Sequence, residues 1–140
     1  MKVLFDTNVI LDVLLYREPY VATAAKLFAL VDRGKIQGSI CATAVTTVHY
    51  IAEKAVGRRQ ARKHLRDLLV LFPVSPVDHA IHASALKLDF ADFEDAVVHE
   101  AARVSGMAGI VTRNGKDFTR AELPLFEPDE LLAAITAARD

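Results

Sequence analysis

The chain has no tryptophan, one cysteine (Cys41) and no surplus of either charge, its formal net charge being -1. The lone cysteine excludes an internal disulfide framework and fits a reducing compartment, so a cytoplasmic location is expected. The charge balance argues against a globally basic nucleic-acid binder and leaves room only for a local patch. No apolar run approaches the roughly 20 residues needed to span a bilayer, so no membrane association is expected. The N-terminus carries an acid at position 6 and no basic stretch followed by a long apolar one, so no signal peptide is expected. Low-complexity linkers, internal repeats and composition breaks are also missing. What is present is an ordinary globular composition: 140 residues, 52% apolar and 25% charged. That predicts one domain over residues 1–140, able to bury roughly two-thirds of its unfolded surface without staples.

Apolar runs and breakers alternate along the chain. Val3–Phe5 reads as a buried strand. Val9, Ile10, Val13 and Leu14 recur at helical spacing, giving a short helix to about Leu15. Pro19 suits the first turn of a second helix, for which Gly34 is the C-terminal cap. Gly38–Cys41 is a weak strand, Thr43–Val56 a helix stopped by Gly57, and Arg58–Leu71 another. That last helix turns Ala61, Leu65, Leu68 and Leu69 inward and Arg58, Arg59, Arg62, Lys63 and Arg66 outward. Pro73 and Pro76 permit only a short or edge strand between them. Asp78 caps a helix through Leu88, and Asp92–Asp95 opens one to about Ser105. Gly109–Thr112 is a strand, Arg113–Phe118 a polar turn, Leu125–Phe126 a last strand and Asp129–Ala138 a closing helix. Alternating strands and helices imply a parallel sheet covered on both faces, a three-layer α/β/α arrangement.

The chemistry lies in three acids. Asp6 follows the first strand, Asp95 stands in the first turns of a helix, and Asp117 lies in the turn after the strand ending at Thr112. In a parallel sheet these positions face one edge, the edge at which open α/β folds bind ligands. Carboxylates brought close repel one another, and a divalent cation resolves that conflict; hard oxygen donors suit Mg²⁺ or Mn²⁺. Such a site would polarise a phosphodiester and generate hydroxide from bound water. Each acid also has an ordinary reading. Asp6, Asp92 or Asp95 can serve a helix N-terminus, and Asp117 can be a turn residue.

Three segments in order carry a family resemblance: Leu4–Val9, Asp92–Ala96 and Ile110–Phe118. In these, and in their spacing over essentially the whole length, the chain resembles PIN-domain proteins of the VapC-like ribonuclease type. The resemblance implies a small α/β/α fold and a metal-dependent endoribonuclease that hydrolyses RNA phosphodiesters, often the toxin of a toxin–antitoxin pair. It also implies Asp6, Asp95 and Asp117 as catalytic metal ligands for Mg²⁺ or Mn²⁺, with Asp92 as an auxiliary. Thr7 and Asn114 would support them in orienting ligands or water. Arg113 and Lys116 flank the acidic turn and are expected to hold RNA phosphates.

One position departs from the pattern. The family has an acid in the helix after the second strand, and here Thr47 stands in that place. Its hydroxyl can bind a water ligand but carries no charge. Glu53 is the nearest acid in that helix; six residues on, it lies about 120° around the helix from Thr47 and is no simple replacement. The alternative function is therefore a catalytically weak PIN-fold protein that binds RNA or a partner protein without turnover. His49, His79, His82 and His99 are scattered. His79 and His82 share a helix face, but without further ligands at suitable spacing they read as surface residues. No glycine-rich phosphate loop follows the first strand, which removes P-loop and Rossmann readings. Apolar helix faces exceed what one small sheet covers, so a homodimer or an antitoxin partner is expected.

Overall fold

The computed structural model describes residues 1–118 and 121–138. In chain order the elements are β1 (Lys2–Phe5), α1 (Thr7–Leu14), α2 (Val21–Asp32), β2 (Gln37–Cys41), α3 (Ala42–Val56), α4 (Arg58–Leu71), β3 (Val74–Ser75), α5 (His79–Ala85), α6 (Phe93–Val104), β4 (Gly109–Val111), β5 (Leu125–Phe126) and α7 (Pro128–Ala138). A short 3₁₀ turn, Gly115–Phe118, separates β4 from β5.

All five strands pair in parallel, in the spatial order β3-β2-β1-β4-β5. Val3, Leu4 and Phe5 of the central β1 are fully buried, as a parallel strand covered on both faces must be. Helices flank the sheet as the expected α/β/α layers: α6 lies against β2 and β4, α5 packs on α6, α1 contacts α2 and α3, and α7 packs beside α2 and β5. The rings of Phe5, Phe28 and Phe72 meet edge-to-face with centroids 4.9–6.0 Å apart, tying β1 to α2 and to the end of α4. A side chain at Gly38 would collide with that cluster, its Cβ falling 2.5 Å from the Phe72 ring.

The register fixes where the sheet's carboxyl edge lies. Phe5 aligns with Ile40 of β2 and with Val111 of β4. The residues that follow, Asp6, Cys41 and Thr112, therefore stand side by side at that edge, Cys41 as the last residue of β2. Chain order reverses between β1 and β4, the position at which open α/β sheets form their binding crevice.

Three local expectations change. Pro19 precedes α2, whose N-cap is Tyr20, because the chain makes a turn over residues 18–20 before the helix begins. The helix capped by Asp78 ends at Ala85, short of Leu88. Leu69 is 46% exposed, unlike the buried Ala61, Leu65 and Leu68, because it lies beyond the stripe of α4 that contacts α3. Gly34 sits just past α2 with φ +71°, the left-handed conformation that a helix C-terminus favours and glycine adopts without strain.

Candidate metal centre

Asp6 is the N-cap of α1 and also the best-held acid of the carboxyl edge. Its Oδ1 accepts the Thr7 backbone N–H at 2.8 Å. Its Oδ2 accepts the Thr112 hydroxyl at 2.8 Å and the Asn8 amide at 3.4 Å. Thr112 is completely buried, and its hydroxyl in turn accepts from the Asn8 amide at 3.2 Å and from the Asn114 backbone N–H at 3.0 Å. Asn8 closes the network by accepting the Arg113 N–H at 3.1 Å. The two strand ends are thus bonded together around one carboxylate. Burial pushes the Asp6 pKa up, while the hydrogen bonds from Thr112 and Thr7 pull against that rise.

Asp95 lies in the first turn of α6, whose N-cap is Asp92; the Asp92 carboxylate accepts the Glu94 N–H at 2.8 Å. The Asp95 pKa is raised to about 7, first by desolvation and then by repulsion from Asp92, Asp6, Asp117 and Glu94. Asp117 sits in the 3₁₀ turn and also pushes Asp6 upward. Asp6 and Asp117 both add repulsion at Asp95, after desolvation and Asp92.

Glu122 is tied to α6 through His99. His99 is buried one turn below Asp95. Its Nε2 accepts the Glu122 N–H at 3.1 Å, so Nδ1 carries the proton and faces Glu100 at 3.0 Å. Glu100 is held in its ionised form chiefly by Arg103, which donates to both of its oxygens, and its pKa is lowered accordingly. Phe90 and Phe118 pack beside this anchor. The histidines at 79 and 82 are exposed, and the His82 ring lies 2.9 Å from the Asp78 carbonyl oxygen.

Other candidate residues fall differently. Thr7, expected to orient ligands or water, donates its backbone N–H to Asp6, and the side chain that bridges Asp6 and Thr112 is Asn8. Asn114 likewise contributes its backbone N–H. Lys116 is exposed in the turn beside Asp117. Arg113 is engaged with Asp12: Nε lies 2.6 Å and Nη2 3.0 Å from its carboxylate oxygens, and the guanidinium stacks 3.8 Å above the Tyr20 ring. Asp12 is fully buried, and Arg17 approaches it at 3.9 Å. Glu53 is surface-exposed, 3.6 Å from His49. Thr47 is half-buried, donates to the Thr43 carbonyl at 3.4 Å, and lines a cavity with Phe93, Glu94 and Val97 of α6. Position 47 thus faces the first turns of the helix that carries Asp95. Sequence reasoning missed Asp12 and the buried hydroxyl of Thr112. An acid inside the apolar stripe Val9–Leu14 was the available signal for the first.

The donors fit Mg²⁺ or Mn²⁺ in type, being hard carboxylate oxygens. Among the described residues no three acids, histidines or cysteines stand close enough to enclose a metal directly.

A family model described as a PIN domain matches residues 2–116. No curated protein matches the chain. Among solved structures, the chain is similar to VapBC2 from Rickettsia felis bound to a promoter DNA fragment, with TM-score 0.68 and 16% identity over 91% of this chain and 100% of that one. It is also similar to a toxin–antitoxin complex from Klebsiella pneumoniae, with TM-score 0.67 and 23% identity over 90% and 97%. A third is VapC20 from Mycobacterium tuberculosis, a sarcin–ricin-loop-cleaving toxin, with TM-score 0.68 and 15% identity over 84% and 94%. With the family model covering most of its length and this fold around the acidic edge, the chain belongs to the PIN domain family and is VapC-like in fold.

Proposed function

We propose that the protein is a metal-dependent endoribonuclease acting at the carboxyl edge of β1 and β4. The observation that carries this reading is the placement of Asp6 at the end of β1 and Asp95 in the first turn of α6, where desolvation first, then repulsion from Asp92, Asp6 and Asp117, raises Asp95 to about 7. Asp6 and Asp95, with Asp117, would hold Mg²⁺ or Mn²⁺ directly or through water. The ion would neutralise the carboxylates, polarise the phosphoryl group and supply the attacking hydroxide. Thr112 and Asn8 keep the Asp6 oxygens oriented. Lys116 is the cation expected at an RNA phosphate; Arg113, bonded to Asp12, is the weaker candidate.

The test is cleavage of structured RNAs with Mg²⁺, with Mn²⁺ and with chelator. Wild type should cut only with a divalent ion, and Asp6→Asn should abolish cutting. Equal cutting by Asp6→Asn would point to a contaminant.

A binding-only role is favoured by one observation, the threonine at position 47. Under that reading RNA or a partner would bind without turnover. For a partner protein, such as the antitoxin expected for a VapC-like toxin, the exposed Tyr50 and Val56 of α3 and Leu69 and Val70 of α4 offer an apolar seat. A second copy of the chain is the other occupant of such a surface; analytical ultracentrifugation of the isolated chain distinguishes them.

A further inference from the structure

A second cavity opens beside the metal centre. It measures about 290 Å³ and is lined by Tyr20, Thr23, Arg113, Glu127 and Asp129, among others. Arg113 directly follows Thr112, and its N–H is bonded to Asn8, so the cavity adjoins the network that holds Asp6. Its wall is preorganised. Asp12 fixes the Arg113 guanidinium through two hydrogen bonds, and the guanidinium covers one face of the Tyr20 ring at 3.8 Å. Tyr20 is still 43% exposed. A rigid, flat, half-exposed aromatic in a small cavity is a stacking platform for a base. The volume lies just under that of pockets for drug-sized ligands and suits a single base.

The polar groups choose the base. Glu127 and Asp129 present carboxylates, which only accept hydrogen bonds when ionised. Asp129 is already held by the Thr23 hydroxyl at 2.7 Å. Arg113 is neutralised by Asp12, so the cavity's charge is negative and repels backbone phosphates. What enters must be a neutral ring with donors on its edge. Guanine offers two adjacent donors, N1–H and the 2-amino group, matching the two oxygens of one carboxylate. Uracil has a single donor flanked by two acceptors.

We propose that this cavity is a base-recognition subsite that stacks an unpaired guanine of the RNA on Tyr20 and reads its edge through Glu127. The proposal rests on the ribonuclease reading for its substrate class, but its test does not need turnover. Binding of a uridine hexamer, and of the same hexamer carrying one guanosine, is measured by fluorescence anisotropy in chelator. The guanosine should tighten binding roughly ten-fold over uridine, from its donor pair on the Glu127 carboxylate and the larger stacking face of a purine on Tyr20. Replacing it with inosine, which lacks the 2-amino group, should remove much of that gain, as should Glu127→Gln. Tyr20→Ala should remove it all, and Tyr20→Leu guards against a folding defect. Equal binding of the two hexamers, no binding of either, or a guanosine preference unchanged in both Tyr20→Leu and Glu127→Gln would overturn the subsite. Guanosine-selective binding without metal-dependent cleavage would sink the nuclease reading and leave the subsite. Cleavage without guanosine selectivity would do the reverse.

Discussion

Replacing Arg113 by methionine should unfold the protein more than it weakens RNA binding. The side chain is 21% exposed and places two charge-assisted hydrogen bonds, at 2.6 and 3.0 Å, on a carboxylate with no solvent exposure. Removing one partner of such a pair strands the other, at a typical cost of about 3–5 kcal/mol. Arg17, at 3.9 Å and 37% exposed, compensates in part. The expected loss is therefore about 3 kcal/mol, a fall of roughly 10 °C in Tm for a domain of this size. Arg113→Lys should also destabilise, because an ammonium cannot reproduce the bidentate fork. Adding Asp12→Asn to Arg113→Met should recover part of the loss by removing the stranded charge. Urea unfolding of the four proteins measures this. A loss under about 1 kcal/mol for Arg113→Met, the range of a surface ion pair, would refute the reasoning. It would return Arg113 to the role of a free phosphate-binding residue.

Other outcomes follow from the same geometry. Asp95 sits at about 7 when folded, above the 3.8 of the free group, so its proton is held more tightly in the folded state. The stability this gives is full below about pH 4 and lost as pH rises toward 7; Tm in chelator should fall over that range, and parallel curves for wild type and Asp95→Asn would contradict this. Thr112→Val removes the hydroxyl that orients Asp6 and should weaken Mn²⁺ binding roughly ten- to hundred-fold without unfolding the chain, as calorimetry would show. Gly109→Ala should destabilise by about 1–3 kcal/mol in urea unfolding, since its Cβ would fall 2.7 Å from the Phe126 ring and 2.8 Å from the Pro124 carbonyl oxygen. Thr47→Glu should tighten metal binding; no change would mean that position 47 does not reach the site.

The fold was legible because its signals are local. Strand β1 is a short apolar run, and Asp6, Asp78 and Asp92 each cap the helix that follows. Gly34, Gly57 and Gly106 mark helix ends with positive φ. The positions of the three proposed ligands were legible for the same reason, Asp6 and Asp95 standing at helix starts and Asp117 in the turn after β4. Long-range partners were not. Periodicity placed Asp12 within the apolar stripe of α1 but could not name Arg113, 101 residues away, as the charge that makes its burial tolerable. Reading Arg113 as a phosphate contact followed from its place in the turn, whereas the fold turns it toward α1. His99 looked like one of several scattered histidines, and only the fold shows it buried in α6 with its ring accepting the Glu122 N–H. Leu69 was misplaced because an apolar residue next to a buried one need not share its face.

We propose that Asp6, Asp95 and Asp117 form one divalent-metal site. Calorimetric titration of Mn²⁺ into the chelator-treated protein near neutral pH tests it most directly. Saturable binding by wild type, weakened at least ten-fold in Asp6→Asn, Asp95→Asn and Asp117→Asn alike while all three variants stay folded, is the predicted result. Absence of saturable binding by wild type, or unchanged affinity in the three variants, would contradict it.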